Sequence, residues 1–209
     1  MSASCTSWVR IPLVVFAVSL AACEVANAIP ITNGGFEDPN VVFGGAEFFP
    51  SIPGWTQVGR NGIEVQNHVA GDPQEGDQFV EMDALSTNSA MISDTFGTIV
   101  GAPYLLTFYY SDRPGVPDFS NGIFGSVGGM PFVVPGGTGG ANTAWVKYQI
   151  PFFGTGSDQI FFAAGGVSDG LGGYLDNVSV ASSVPDGGTT AAMLGMAMAS
   201  LALIRRKLS

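Results

Sequence analysis

Short apolar runs, each broken by glycine, proline, asparagine or aspartate, recur through the middle of this 209-residue chain. Runs of this length fit β-strands, and the residues that break them favour turns. The 30 glycines and 13 prolines would interrupt helices, while the 15 phenylalanines favour sheets. The pattern therefore predicts an all-β domain, which we place at residues 29–183.

Seven segments of this domain carry the strand signal. Residues 62–67 alternate Ile63 and Val65 with Glu64 and Gln66, as in a half-buried strand. About eight strands in a domain of this length favour a two-sheet antiparallel jelly-roll sandwich, with an immunoglobulin-like sandwich as the alternative. Residues 144–152 alternate in the same way. Residues 103–111 are apolar throughout and predict a strand that is buried on both faces. The other segments with a strand signal are 77–84, 88–96, 157–165 and 172–182.

The charge of the chain excludes one large class of partner. The net charge is -10, and only three of the seven basic residues, Arg60, Arg113 and Lys147, lie within residues 29–183. Such an acidic surface repels phosphate backbones, so nucleic-acid binding is not expected. Neutral polymers and metal cations are better suited to this surface.

The N-terminus predicts export. Arg10 precedes an apolar stretch that is too short for a comfortable membrane span, and Ala26-Asn27-Ala28 fits the small-x-small rule for signal peptidase. We therefore predict a signal peptide at residues 1–28. An alternative is that residues 20–23 form a lipobox in which Cys23 is lipidated.

The C-terminus predicts a membrane helix with a basic tip. Residues 191–204 contain no charge and no proline, and Thr189 and Thr190 extend the segment to a single transmembrane helix at 189–204. The basic residues that follow would hold the terminus in the cytoplasm. An amphipathic packing helix is the alternative, but the segment is apolar on every face.

The tail at residues 184–209 resembles the VPDSG-type relatives of PEP-CTERM sorting signals, with Gly187 where the motif name has serine. That resemblance implies processing by an exosortase, a transient membrane anchor, and delivery to the cell envelope, cell surface or extracellular matrix of a bacterium that makes exopolysaccharide. The residues that carry it are a turn and a basic cluster on either side of the apolar helix: Val184, Pro185, Asp186, Gly187, Gly188, Arg205, Arg206 and Lys207.

Residues 31–39 (ITNGGFEDP) and 172–180 (GGYLDNVSV), with the shorter motifs between them, resemble the galactose-binding-like jelly rolls found in many carbohydrate-binding modules. The resemblance implies that Glu37 and Asp176 share a structural calcium ion. Calcium prefers hard oxygen ligands, so both carboxylates suit it. The alternative is that both are solvated turn carboxylates.

Sugar recognition needs an aromatic ring for the apolar face of the sugar and polar groups for its hydroxyls. We predict a polysaccharide-binding patch on a concave face of the sheet, although each member could instead serve packing or local ion pairing. The predicted members are Trp55, Glu64, Gln66, Tyr110, Arg113 and Asn121.

Catalysis has weaker support. Glu81 and Asp83 share a strand face, as paired glycosidase carboxylates could, but such pairs are common in an acidic domain. His68 is the single histidine and has no nucleophile motif beside it, and zinc ligands are too few. We therefore expect an exported, non-catalytic carbohydrate-binding protein associated with exopolysaccharide. The alternatives are a structural or adhesive matrix protein that binds no sugar and, less favoured, a glycoside hydrolase.

Overall fold

The computed structural model describes residues 27–86 and 88–183. The sorting tail and all but the last two residues of the predicted signal peptide lie outside these ranges, as does the predicted span at 189–204. Within the described ranges, no helix has the length and apolar character needed to cross a bilayer.

Two large antiparallel sheets stack on each other. The strands are β1 Ala28–Ile29, β2 Ala46–Phe49, β3 Ser51–Ile52, β4 Trp55–Gln57, β5 Ile63–Gln66, β6 Phe79–Glu81, β7 Ala90–Ser93, β8 Phe96–Gly97, β9 Pro103–Ser111, β10 Gly122–Val127, β11 Met130–Pro135, β12 Val146–Phe153, β13 Ser157–Asp158, β14 Ile160–Ala164 and β15 Tyr174–Ser182. Sheet I has the order β12-β9-β15-β6-β5-β2, with β1 also paired to β15, and sheet II has the order β11-β10-β14-β7-β4-β3. Strands β13 and β8 form a separate two-stranded sheet.

The predicted jelly-roll sandwich is confirmed. Its core lies between the sheets, where Leu106 and Phe108 from sheet I meet Ile123 and Phe162 from sheet II. The rings of Phe108 and Phe162 pack edge to face at 5.2 Å. Among the described residues the buried core is one cluster that joins both sheets, so we expect residues 27–183 to fold by themselves.

All seven predicted strand segments contain a strand, but two burial predictions were wrong. Strand β9 is not buried equally on both faces, because Tyr104, Leu106 and Phe108 enter the core while the residues between them are half-buried. Strand β5 is not half-buried, because all four of its residues are buried. Loops and side chains therefore cover part of the outer face of sheet I.

The hairpin of β10 and β11 was missed by the sequence analysis. Its two strands are joined by Gly128 and Gly129, whose φ angles of 54° and 75° lie in the left-handed region that glycine adopts without strain. The surrounding sequence is rich in glycine and proline, which obscured the alternation of Phe132 and Val134 with their exposed neighbours.

The first and last segments of the domain are held together by a close backbone contact. The amide of Val178 donates to the carbonyl of Gly34 at 2.8 Å, and a Cβ on Gly34 would lie 2.1 Å from the carbonyl oxygen of Val178. Only a residue without a side chain allows this approach. The first glycine of the Gly-Gly pair in the 31–39 motif, Gly34, thus has a packing role.

We predict that Gly34→Ala lowers the free energy of unfolding of residues 27–183 by about 2 kcal/mol, because the two segments must move apart. Urea denaturation measures the effect. The matched control is Gly97→Ala, since a methyl group on Gly97 would meet no other part of the chain within 4 Å and the residue has no left-handed φ. Equal stability of the two variants would contradict the packing role.

Candidate functional site

A row of polar side chains crosses the outer face of sheet I. Antiparallel pairing sets Glu64 of β5 opposite Glu81 of β6, Glu81 opposite Tyr174 of β15, and Tyr174 opposite Ser111 of β9. Residues that are directly opposite point to the same face of a sheet. The row therefore brings two carboxylates and a phenol together on the face turned away from the core.

Hydrogen bonds join these side chains into one buried cluster. The amide of Gln66 donates to Glu64 Oε1 at 2.8 Å and also to Glu81 Oε2. Arg113 pairs with Glu81, and its guanidinium lies 5.8 Å from the ring centre of Tyr174. Within this ion pair the Arg113 side chain is 15% exposed to solvent, whereas the Glu81 side chain is 0% exposed.

The cluster contains two buried carboxyl groups and one guanidinium. Burial raises the pKa of Glu81 to about 8, and the neighbouring charge of Glu64 adds to this, while Arg113 opposes it. Burial also raises the pKa of Glu64, while the hydrogen bond from Gln66 and the charge of Arg113 act to lower it. One guanidinium does not compensate two buried carboxylates, so Glu81 favours its protonated form at neutral pH.

Several buried polar atoms here have no hydrogen-bond partner among the described residues. They are Gln66 Oε1, the hydroxyl of Tyr174 and Asp83 Oδ1. Buried polar groups are nearly always paired in folded proteins, by protein atoms, water or a ligand. Gln66 and Tyr174 therefore offer unused hydrogen-bonding capacity inside the cluster.

Aromatic side chains continue the cluster toward solvent. The ring of Tyr174 lies 4.5 Å from that of Phe79, which in turn contacts the half-buried ring of Trp145 at 5.9 Å. The indole N–H of Trp145 donates to the carbonyl of Asp72, and Asn142 donates to the Asp72 carboxylate. We call Arg113, Trp145, Asp72 and Asn142 the rim of the site.

Tyr110 and Asn121 belong to the site as supports. The Tyr110 hydroxyl accepts a hydrogen bond from the Gly122 amide at 2.6 Å and donates to Asp112 at 3.2 Å. The Asn121 side chain accepts from the Arg113 amide at 3.0 Å. Both residues hold the loop that presents Arg113, and Tyr110 faces the core.

Trp55 does not belong to the predicted patch. It is 1% exposed and packs in the core between Phe36 and Phe162, with ring centres 5.4 and 6.1 Å away. Its indole N–H donates to the carbonyls of Thr32 and Asn33. The prediction of a surface platform at Trp55 was wrong because a buried tryptophan with a satisfied N–H has the same sequence signature.

The predicted carboxylate pair of Glu81 and Asp83 is also separated by its contacts. Asp83 follows β6 and accepts hydrogen bonds from the amides of Asp169 and Gly170. Glu81 instead faces Glu64 and Arg113. Trp145 and Asp72 were not singled out from the sequence, although Trp145 is the one other tryptophan within residues 27–183.

Glu37 and Asp176 meet at one segment, residues 74–78. Asp176 accepts hydrogen bonds from the amides of Gln74 and Glu75, and Glu37 accepts from those of Asp77 and Gln78. A bulge in β15, with Asn177 at a φ of 48°, sets the direction of Asp176.

The donor set at this corner fits a calcium ion in kind. The pKa of Asp176 is raised to about 7, mainly by burial and to a smaller extent by the charge of Glu37. Hydrogen bonds from three backbone amides act in the opposite direction and lower it. A cation between these hard-oxygen carboxylates would relieve the repulsion, with carbonyls as further ligands. The described residues gather no group of three or more His, Cys, Asp or Glu side chains suited to a metal.

Comparison with known proteins identifies the tail. Residues 183–208 match the VPDSG-CTERM motif. The C-terminal tail is similar to this sorting signal. This motif supports an exported, cell-surface-directed protein, as the sequence analysis predicted. No curated protein matches the sequence.

Solved structures confirm the fold of the domain. The Stig cyclase Fisc from Fischerella sp. TAU, in complex with (3Z)-3-(1-methyl-2-pyrrolidinylidene)-3H-indole, superposes with a TM-score of 0.56 at 16% identity, over 78% of this chain and 100% of the cyclase. A cyclase from the same organism in complex with 4-(1H-indol-3-yl)butan-2-one gives 0.55 at 15% identity, over 77% and 100%. The carbohydrate-binding module TmCBM61, in complex with β-1,4-galactotriose, gives 0.47 at 21% identity, over 72% and 96%. The two cyclases share the fold of the domain, and identities this low carry no information on activity.

We predict that stability falls as the pH rises from 7 to about 8.5, and that Glu81→Gln flattens this fall. Because the pKa of Glu81 is raised in the folded state, the folded protein binds more protons than the unfolded chain over this range, and ionisation costs stability. Urea denaturation at each pH measures the slope. Glu47→Gln, at an exposed position of β2, is the control and should keep the slope of the parent protein. An unchanged slope in Glu81→Gln would show that Glu81 titrates normally.

Proposed function

We propose that this chain is an exported, non-catalytic carbohydrate-binding protein of the cell surface or extracellular matrix, associated with exopolysaccharide. The observation that carries the proposal is the cluster on sheet I, where unpartnered buried polar atoms lie beside an aromatic rim. Polar groups that can exchange hydrogen bonds with hydroxyls, next to a ring for the apolar face of a sugar, are the two requirements of carbohydrate recognition.

The two requirements are met by different layers of the site. The half-buried ring of Trp145 supplies the platform, and Asp72 and Asn142 supply hydrogen bonds at the rim. Arg113, also of the rim, pairs with Glu81 and lies 5.8 Å from the ring centre of Tyr174. Gln66 Oε1 and the hydroxyl of Tyr174 are the unpartnered atoms that we propose as hydrogen-bond partners of sugar hydroxyls.

The charge of the chain favours uncharged glycans. Its net charge is -10, and the Asp72 carboxylate lies on the rim of the site. A uronate or sulfate group brought to this face would meet that carboxylate and the acidic surface around it. Neutral polysaccharides are therefore the proposed ligand class.

We predict that residues 27–183 bind a neutral polysaccharide and that Trp145→Ala weakens this binding at least about tenfold, as loss of an aromatic platform does. Isothermal titration calorimetry after a screen of neutral and acidic polysaccharides measures the change. The matched control is Phe153→Ala, which removes an exposed aromatic ring at the last residue of β12, the strand that Trp145 directly precedes.

Three outcomes separate the competing functions. Saturable binding that is lost in Trp145→Ala and kept in Phe153→Ala supports the proposal. Folded protein that binds no polysaccharide favours the structural or adhesive matrix protein instead. Release of reducing sugars that stops in Glu81→Gln would establish a glycosidase, the function that the Glu64 and Glu81 pair favours most among enzymes.

We also propose that Glu37 and Asp176 hold a structural calcium ion with backbone carbonyls as further ligands. The ion would join the first and last segments of the domain at residues 74–78, where both carboxylates already accept hydrogen bonds from backbone amides. Its effect is on stability, since Asp176 is buried.

We predict that calcium at a hundredfold excess over its dissociation constant raises stability by about 2.7 kcal/mol, or roughly 5–10 °C in Tm. Asp176→Asn should lose this calcium-dependent shift, whatever its Tm without calcium. Asp77→Asn, an exposed carboxylate of the same segment, is the control and should keep the shift. If the Tm of the parent protein is the same with calcium and with a chelator, the calcium site is refuted.

A further inference from the structure

One end of sheet I is the place where the described chain both enters and leaves the domain. Strand β9 begins there at Pro103, which pairs with Phe153 at the end of β12. The Ser183 amide donates to the Pro103 carbonyl at 2.9 Å, and Ala28 of β1 pairs with Ala181 near the end of β15. We call this region the exit end, because the chain continues from it toward the tail.

The exit end exposes three large apolar side chains. Ile99 and Val100, in the turn before β9, are 72% and 75% exposed, and Phe153 is 64% exposed. The amide of Gly101 donates to the carbonyl of Gly154 at 2.8 Å, which joins this turn to the residue after Phe153. Hydrogen bonds of the backbone therefore hold the three side chains on one part of the surface.

The segments that form the exit end contain no charged residue, in a chain with a net charge of -10. Of the two carboxylates that flank them in sequence, Asp158 is buried and accepts hydrogen bonds from threonine hydroxyls, and the Asp94 amide is bound to Gly54 beside sheet II. Burial of uncharged apolar surface is favourable, whereas burial of an unpaired charge is costly. The segments without charge are 95–104, 150–157 and 179–183.

The length of the connector to the tail selects the partner of this surface. Residues 184–188 are all that separates Ser183 from the membrane helix predicted at 189–204. An extended chain spans at most about 3.6 Å per residue, so the exit end stays within roughly 20 Å of the bilayer while that helix is inserted. A lipid bilayer is thus the apolar partner within reach of the exit end.

The rim of the proposed glycan site lies at the opposite end of sheet I. Trp145 directly precedes Val146, which pairs with Tyr110 at the far end of β9, whereas Phe153 pairs with Pro103. At about 3.3 Å per residue, Val146 and Phe153 are roughly 23 Å apart along β12. A bilayer at the exit end would therefore leave the rim on the side turned away from the membrane.

We propose that the exit end is a membrane-contact surface, at which Ile99, Val100 and Phe153 enter the interfacial layer of the bilayer while the tail is inserted. The inference rests on the proposed function at the cell surface and on the predicted tail helix. Apolar side chains bind a lipid interface in proportion to the apolar area that they bury there. The contact orients the domain, so that the rim faces the polysaccharide outside the cell.

Fluorescence quenching by spin-labelled lipids tests the contact. Residues 27–209 contain no cysteine, so Val100→Cys carries a single environment-sensitive fluorophore in vesicles of phosphatidylcholine with acyl-chain spin labels. The matched control is Val146→Cys, since Val146 is a 50% exposed valine at the other end of β12. Quenching should be at least about threefold stronger for Val100→Cys, because the two positions differ by roughly 20 Å in their distance from lipid.

A second substitution separates contact from mere tethering by the connector. Ile99→Asp, added to Val100→Cys, should lower the quenching at least about threefold, because a carboxylate resists entry into the interface. Ile99→Cys repeats the measurement if Val100→Cys fails to fold. Unchanged quenching in the Ile99→Asp variant would overturn the contact, since the connector alone would then hold the domain near lipid.

Flotation of the vesicles separates this inference from the proposed function on which it rests. Protein that floats with the vesicles but is quenched equally at both labels, or at neither, overturns the membrane contact and leaves the surface anchor in place. Absence of quenching is also the result if the exit end binds a protein instead of lipid. Protein that does not float overturns both the anchor and the contact.

Discussion

The last strand of the domain, β15, is the element on which the candidate sites depend. It pairs with β9 along its length, with β6 at its start and with β1 at its end, so it holds sheet I together from the inside. Tyr174 at its start enters the polar cluster, and Asp176 two residues later reaches the segment that also binds Glu37. The bulge at Asn177 separates these two environments from the part of the strand that only packs.

Buried carboxylates are the main electrostatic feature of the protein. Glu64, Glu81 and Asp176 are buried in a domain that has few basic residues, and the pKa of each is raised. Such groups are costly in a purely structural role, since apolar residues would pack the same positions more cheaply. Their presence on one sheet face, beside unpartnered polar atoms, is what distinguishes that face as a site.

The fold could be predicted from the sequence because strand signals and turn residues are local. Alternation correctly predicted which side of β12 faces the core and which side of β5 is polar. Three members of the predicted patch, Glu64, Gln66 and Arg113, also lie together in the polar cluster on sheet I. Burial could not be predicted in the same way, because it depends on the loops that cover β5. Trp55 and Trp145 have equivalent sequence signals, yet one fills the core and the other lines the rim, a difference decided by which strands lie across from them.

The most direct test of carbohydrate recognition at this rim uses the two tryptophans of residues 27–183. In a two-dimensional 1H–15N NMR spectrum of that segment, the indole N–H groups of Trp55 and Trp145 give two separate signals. Titration with a neutral oligosaccharide is expected to shift the Trp145 signal, whose N–H lies at the rim, and to leave the Trp55 signal in place. A saturating glycan that moves the Trp55 signal instead, or neither signal, would contradict a binding site on sheet I.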